Sequence, residues 1–192
     1  RVTIGGTDFA SYNSTGSGTN ALGLQAFSAY NNSGAYTNIN SALAPVSTDT
    51  LKVGAGFITS SSLDANRTFN ALNIAGNGLT VGTSAGNTTL TLTSGGLVVT
   101  GGSNTLSVSR VAFGAEGMVA VNASAALNMT GVFTGTTGLT KSLGGDLTLS
   151  VPQYYTGQTT VNAGTLKLAG GNNTLLPGQN LSLNSGATLD LN

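Results

Sequence analysis

Hydrophobic and polar residues alternate along most of the chain after residue 70. Side chains of a β-strand point to opposite faces in turn, so this alternation places aliphatic residues on one face and Ser, Thr or Asn on the other. Pairs such as Gly-Gly, Asn-Gly and Ser-Gly separate the runs and favour tight turns. The pattern predicts an all-β chain of short strands and favours a coil over a sandwich. The alternating pairs are Leu72 and Ile74, Leu79 and Val81, Leu90 and Leu92, Leu106 and Val108, Leu127 and Met129, Leu147 and Leu149, Leu166 and Leu168, Leu181 and Leu183, and Leu189 and Leu191.

An internal repeat is visible in the last thirty residues or so. The segment NAGTLKLAGGNN, from Asn162, is echoed by NSGATLDLN, from Asn184, at an offset of 22 residues. A coil of this length accommodates three short strands and three turns, and stacked coils lie about 4.8 Å apart. The whole chain would then form about eight or nine coils in a rod of about 40 Å. In such a stack Leu166 points inward and Lys167 outward.

Residues 138–168, which read GLTKSLGGDLTLSVPQYYTGQTTVNAGTLKL, resemble the passenger-associated transport repeat of bacterial autotransporters, also called the autotransporter-associated β-strand repeat. That motif reads approximately L-T-K-x-G-x-G-T-L-T-L-S and then, after a few residues, Y-T-G-G-T-T-V-N-A-G-T-L. The chain departs from it at Leu143 and Gln158, where glycine is usual, and at Asp146, where threonine is usual. The matching residues are Leu139, Thr140, Lys141, Gly145, 147–150, 155–157 and 159–166.

The resemblance implies a right-handed parallel β-helix, a form of β-solenoid, that is exported and presented at the outer-membrane surface of a Gram-negative bacterium or released outside the cell. The signal and the translocating barrel of such a protein would lie outside this segment. We therefore expect residues 71–192 to form regular solenoid coils, with the matched repeat at 138–168. Residues 1–70 are expected to start the same solenoid and to carry an irregular N-terminal excursion rich in Tyr, Asn, Ser and Gly.

The amino-acid composition excludes several kinds of binding and catalytic site. Only 6% of residues are charged and the net charge is zero, against about 25% charged residues in an ordinary soluble domain. Without a basic stripe we expect no nucleic-acid binding, and without an apolar run of about 20 residues we expect no membrane insertion of this segment. Since His and Cys are absent, imidazole and thiolate chemistry and most zinc ligands are excluded.

The acidic residues are isolated in the sequence, and the nearest pair is Asp49 and Asp64, with Arg67 close by. Glycoside hydrolysis needs two carboxylates within reach of one bond. We interpret these residues as solvated turn residues, and therefore predict no enzymatic activity, no catalytic or metal site and no cofactor.

The irregular excursion contains three tyrosines, Tyr12, Tyr30 and Tyr36, among Asn, Ser and Gly. Two interpretations stay open. The tyrosines are ligand contacts that stack on a sugar or on a partner surface, or they pack with Phe9 and Phe27 as a local core.

Two classes of function remain. The first is an extracellular structural or adhesive surface protein, a rod that assembles into fibres or a surface layer, or that contacts a host, matrix or glycan surface. Low charge and open strand edges at the ends of a coil stack both favour self-association. The alternative is a carbohydrate-binding or enzymatic autotransporter passenger, with its active part in the tyrosine-bearing excursion.

Overall fold

The computed structural model of the chain describes residues 3–13, 23–30, 38–40, 47–54, 56–58 and 61–192. Within them the chain is all-β with no helix, and most of its strands run parallel in a β-solenoid of about six turns. The predicted all-β solenoid is confirmed.

Twenty strands make up the described part of the chain. They are β1 (Thr3–Ile4), β2 (Asp8–Asn13), β3 (Gly23–Ala26), β4 (Thr50–Val53), β5 (Ser62–Leu63), β6 (Arg67–Ile74), β7 (Thr80–Thr83), β8 (Thr89–Val99), β9 (Gly102–Leu106), β10 (Arg110–Phe113), β11 (Gly117–Val121), β12 (Ala125–Met129), β13 (Val132–Gly135), β14 (Leu139–Ser142), β15 (Asp146–Leu149), β16 (Tyr154–Tyr155), β17 (Thr159–Val161), β18 (Gly164–Leu168), β19 (Leu181–Leu183) and β20 (Ala187–Asp190).

Three columns of parallel strands form the walls of the solenoid. Column 1 contains the first halves of β6 and β8, then β10, β13 and β16. Column 2 contains β4, the second halves of β6 and β8, then β11, β14, β17 and β19. Column 3 contains β5, β7, β9, β12, β15, β18 and β20. Each complete coil passes through columns 1, 2 and 3 in turn.

Strands β6 and β8 bend from column 1 into column 2. The register between them shifts at this bend, because Phe69 pairs with Leu92 whereas Ala71 pairs with Gly96. Gly95 lies at the bend with φ +71°, and a Cβ there would lie 2.0 Å from the carbonyl oxygen of Glu116. Only glycine fits such a close approach of two backbones.

The core is a set of ladders of inward side chains, one position per coil. In column 3, Leu147 pairs with Leu166, and Leu166 pairs with Leu189. Leu166 is fully buried, whereas Lys167 and Asp190 face outward and form an ion pair at 3.6 Å. The predicted alternation is confirmed at these positions. Each fully buried aliphatic side chain contributes about 1.5–3 kcal/mol, and the stack of coils supplies that burial.

The solenoid has fewer turns than the eight or nine that the length of the chain suggested. Ile39 lies in the solenoid core and Nδ2 of Asn40 donates to the carbonyl oxygen of Ser62, but the three described strands before Thr50 do not enter the columns. Instead β1, β2 and β3 form a small antiparallel sheet, called here the N-terminal sheet. This sheet packs on the outer side of column 2, where Phe9 and Tyr30 contact a cluster that includes Ala71 and Val98.

Candidate functional site

Tyr30 lies in the buried cluster between the N-terminal sheet and the solenoid. It is 7% exposed, and its ring is in edge contact with Phe27 at 5.0 Å and with Phe57 at 6.0 Å between centroids. Its hydroxyl accepts hydrogen bonds from the backbone N–H of Phe9 at 3.4 Å and from Nδ2 of Asn73 at 3.0 Å. Burial raises the pKa of Tyr30 to about 12. Tyr30 is therefore placed in a local core and does not present an open ring face for stacking.

The other two tyrosines of the excursion cannot be placed in the same way. Tyr36 lies outside the described residues, and so does the side chain of Tyr12, although its backbone belongs to β2. A ligand contact at Tyr12 or Tyr36 stays a prediction.

Polar contacts hold the N-terminal sheet on column 2. Nζ of Lys52 lies 3.0 Å from Oδ1 of Asp8 and 4.8 Å from the centroid of the Tyr30 ring, which adds a cation–π attraction to the ion pair. Nδ2 of Asn73 also donates to the carbonyl oxygen of Thr7 at 3.0 Å. These contacts join residues far apart in the sequence, and no local sequence pattern predicts them.

A lysine occupies one position of the inner ladder of column 2. Lys141 lies between Val119 of the preceding coil and Val161 of the following one, and it is fully buried. Its Nζ donates to the carbonyl oxygens of Leu143 at 2.6 Å, Ala163 at 2.8 Å and Ser142 at 3.4 Å. Because Ala163 belongs to the next coil, the ammonium group links two successive coils.

Burial lowers the pKa of Lys141 to about 8, and the negative charge of Asp146 opposes this effect. The three carbonyl oxygens use the three donors of the ammonium group. Lys141 matches the repeat motif, but the pattern of aliphatic residues did not place it in the core. The signal was present, since Lys141 follows the buried Leu139 by two positions in the same strand.

Other buried polar groups also make hydrogen bonds within the solenoid. Nδ2 of Asn104 donates to the carbonyl oxygens of Gly76 at 3.0 Å and Gly101 at 2.7 Å. The hydroxyls of Tyr155 and Thr159 lie 2.6 Å apart in the core, and burial raises the pKa of Tyr155 to about 12. Buried polar groups normally have such partners, so these side chains serve the coil structure.

The outer faces of the coils carry ladders of polar side chains. In column 3, paired positions on successive strands form one outward ladder, called here the column 3 outer ladder. Its members are Thr105, Asn128, Thr148, Lys167 and Asp190. At the corner after column 2, Nδ2 of Asn184 donates to Oδ1 of Asn162 at 2.7 Å. Hydroxyl and amide groups thus repeat at the spacing of the coils.

The acidic residues do not form a metal site in the part of the chain that the structure describes, where no group of three or more His, Cys, Asp or Glu side chains could hold a metal ion. Of the two acidic residues nearest each other in the sequence, Asp64 forms an ion pair with Arg67 at 2.7 Å. Asp49 is buried, so its interpretation as a solvated turn residue is wrong. None of the described segments forms a helix with the length and hydrophobicity needed to span a bilayer.

The two ends of the solenoid differ in how well their aliphatic side chains are covered. Near the first coil Ile39, Leu51 and Ile58 are fully buried. In the last coil Leu181 is 40% exposed and Leu183 is 45% exposed. Among the described strands, β19 pairs only with β17, and β20 pairs only with β18. One edge of each of these terminal strands is therefore open.

No family model matches the chain, and neither a curated protein nor a solved structure matches it. The likeness of residues 138–168 to the autotransporter repeat stays a prediction. One backbone feature agrees with that motif. Leu143, at a position where the motif has glycine, has φ +64°, a conformation that glycine adopts at little cost.

Proposed function

We propose that this chain is an extracellular structural or adhesive surface protein, a solenoid rod whose copies self-associate into fibres or a surface layer. The observation that supports the proposal most directly is the column 3 outer ladder. Its Thr and Asn side chains are uncharged, and its two charges, on Lys167 and Asp190, lie 3.6 Å apart and offset each other. Little electrostatic repulsion opposes the approach of a second rod to such a face.

The last coil has a face on which a further coil would pack. The open edges of β19 and β20 present unpaired backbone groups, and strand edges of this kind are templates for pairing with another chain. Leu181 and Leu183 lie exposed beside them. A further coil, from the same polypeptide or from a neighbouring molecule, would cover both the edges and these leucines.

The proposed location is outside the cell or at the outer-membrane surface of a Gram-negative bacterium. It rests on the likeness of residues 138–168 to the autotransporter repeat and on the very low content of charged residues. A rod that projects from a cell would meet a host, matrix or glycan surface with its outer faces. Adhesion and assembly would then use the same hydroxyl and amide ladders.

Electron microscopy and sedimentation velocity at rising protein concentration test the proposal. We expect filaments or sheets whose formation is suppressed by Thr105→Lys with Thr148→Lys, because this double variant adds like charges to the column 3 outer ladder. Leu183→Lys tests association through the last coil. Thr134→Lys, which places a charge on column 1, is the matched control and should leave contacts through column 3 unchanged.

Two results would contradict the proposal. One is a rod that stays monomeric at every concentration and binds no surface. The other is association that continues unchanged when both the double threonine variant and Leu183→Lys are tested, because neither the outer ladder nor the last coil would then take part.

A further inference from the structure

A polar cleft lies at the corner where each coil passes from column 3 to column 1. It has a volume of about 200 Å³ and is lined by Asn87, Thr88 and Thr89 of one coil and by Ser109 and Arg110 of the next. The two coils are joined there by a hydrogen bond from the backbone N–H of Arg110 to the carbonyl oxygen of Thr88, at 3.2 Å. The two walls of the cleft are therefore held together by a backbone hydrogen bond of the stack.

One lining side chain lacks a hydrogen-bond partner. Thr88 is 4% exposed, and its Oγ1 is buried without a partner in the described part of the chain. A buried hydroxyl without a partner costs free energy, and each such group in a native structure calls for an explanation. A ligand atom in the cleft would supply the missing partner.

Arg110 differs from the other basic residues that the structure describes. Lys52, Arg67 and Lys167 each form an ion pair, and Lys141 is buried among carbonyl oxygens. Arg110 is exposed and forms neither an ion pair nor a side-chain hydrogen bond with any other described residue. Its guanidinium group can thus receive an anion, and its planar donor geometry suits a carboxylate.

The chemistry of the lining indicates the class of ligand. A single cation stands among three hydroxyl groups and one amide. A nucleic acid or another polyanion would call for several cations in a row. The volume is also below the roughly 300–1,000 Å³ of pockets for drug-sized molecules. One carboxylate on a small ring with several hydroxyl groups fits this set of donors and acceptors.

We propose that the cleft lined by Thr88 and Arg110 binds a uronic acid residue of an acidic polysaccharide, with the sugar carboxylate on the Arg110 guanidinium and a sugar oxygen on the Thr88 hydroxyl. The site is complete within one molecule. It therefore does not depend on self-association of the rods, and the two proposals can fail separately.

The test is a titration of the ¹⁵N-labelled full chain, followed by amide chemical shifts. The probes are galacturonate and glucuronate, each compared with its neutral parent sugar, galactose or glucose. We expect saturable shifts of the amides of Thr88, Thr89 and Arg110 with the two uronates. The neutral sugars should bind about tenfold more weakly, because the charged hydrogen bond to the carboxylate is missing.

Variants separate the two contacts. Arg110→Gln removes an exposed charge without opening the core, and it should weaken uronate binding about tenfold while leaving the weak binding of neutral sugars unchanged. Thr88→Val removes the buried hydroxyl at nearly constant volume, and Thr88→Ser restores it. Glu116→Gln, which removes an exposed charge at the corner after column 1, is the control for a change of charge and should bind uronates like the parent chain.

The proposal is overturned if uronates and neutral sugars bind equally, or if Arg110→Gln binds uronates as well as the parent chain. It is also overturned if neither uronate causes a saturable shift at the cleft, which would indicate that water alone satisfies the Thr88 hydroxyl. Since Arg110 is exposed, this variant decides the question even if Thr88→Val does not fold.

Discussion

The coils of the solenoid and the N-terminal sheet are stabilised by different kinds of contact. In the coils the same contact recurs, with an aliphatic side chain such as Leu147 stacked on Leu166 in the next coil. The N-terminal sheet is held by contacts that occur once, such as the ion pair of Lys52 with Asp8 and the hydrogen bonds of Asn73. A repeated contact leaves a pattern in the sequence, and a contact made once leaves none.

The outer face of column 2 also differs between the coils near the N-terminal sheet and the later coils. One outward ladder has small or apolar side chains in the coils nearest the N-terminal sheet and hydroxyl groups in the later coils, whereas Lys52 and Asn73 on the neighbouring ladder bind the sheet directly. Paired positions along one outward ladder change in this way from coil to coil, through Ala71, Gly96, Met118, Thr140, Thr160 and Ser182. What covers a strand therefore decides which residues its outer face can carry.

The largest effect should come from placing a charge in the repeated core. Leu166→Asp buries a carboxylate without a partner among aliphatic side chains, and we expect a loss of about 4 kcal/mol or more in the free energy of unfolding. Lys167→Gln changes the neighbouring outward residue and breaks only a partly exposed ion pair, worth less than about 1 kcal/mol. Urea denaturation followed by circular dichroism compares the two variants, and equal losses would contradict the inward and outward assignment.

The next effect concerns the one lysine in an inner ladder. Lys141→Ala removes the packed side-chain stem and leaves the carbonyl oxygens of Leu143 and Ala163 without their donor, so we expect a loss of about 3 kcal/mol. Lys141→Met keeps most of the volume and removes a desolvated charge, so its loss should be clearly smaller. If the two variants lose the same stability, packing by the stem contributes nothing, and the lysine acts only through its hydrogen bonds.

The free energy of unfolding should depend on pH because of Lys141. Its folded-state pKa of about 8 lies below the ordinary value of 10.5, so the unfolded chain binds more protons between these values and stability rises with pH across this window. The rise should be on the order of 1 kcal/mol between pH 8 and about pH 9.5, read from the urea midpoint, and absent in Lys141→Met. At higher pH the raised pKa values of Tyr30 and Tyr155, both about 12 against 10.0 ordinarily, act in the opposite direction. A flat profile in the parent chain would contradict the assignment.

A local effect, smaller than that of either core substitution, should come from the contacts that occur once. Asn73→Ala removes the donor to Thr7 and Tyr30, and we expect it to weaken docking of the N-terminal sheet by about 1–2 kcal/mol with little change in the coils. Hydrogen exchange of the Phe9 and Phe27 amides measures local opening of this sheet. Asn128→Ala, on the column 3 outer ladder, is the control. Faster exchange throughout the coils in Asn73→Ala would show that the sheet and the solenoid unfold together.

Several positions were readable from the sequence because their cause is local. Alternation places Leu127, Leu147 and Leu166 inward since successive side chains of any strand point to opposite faces, and all three are buried. The repeat of the segment from Asn162 at Asn184 predicted one coil, and the two asparagine side chains are hydrogen-bonded at 2.7 Å. The pattern does not predict the coil length at every turn, since insertions at bends such as Gly95 change the register without changing the alternation.

The candidate sites depend on contacts between distant residues, which the local pattern does not predict. The cleft of Thr88 and Arg110 exists because two turns about twenty residues apart stack at one corner, and alternation says nothing about which corners align. The sequence pattern is compatible with Tyr30 at the surface or in a core. Its place in the core follows from the packing of the N-terminal sheet on Asn73 and Val98.

The sequence by itself therefore determined the strand period, the all-β class and the inward faces of the coils. These depend on backbone geometry and on burial of a repeated aliphatic pattern. The tertiary structure alone decided where the first coil begins, how the N-terminal sheet docks and which polar side chains meet across coils. Each of those outcomes depends on contacts between residues distant in the chain, such as Thr7 with Asn73, whose free energy is gained only when the two segments meet in the folded chain.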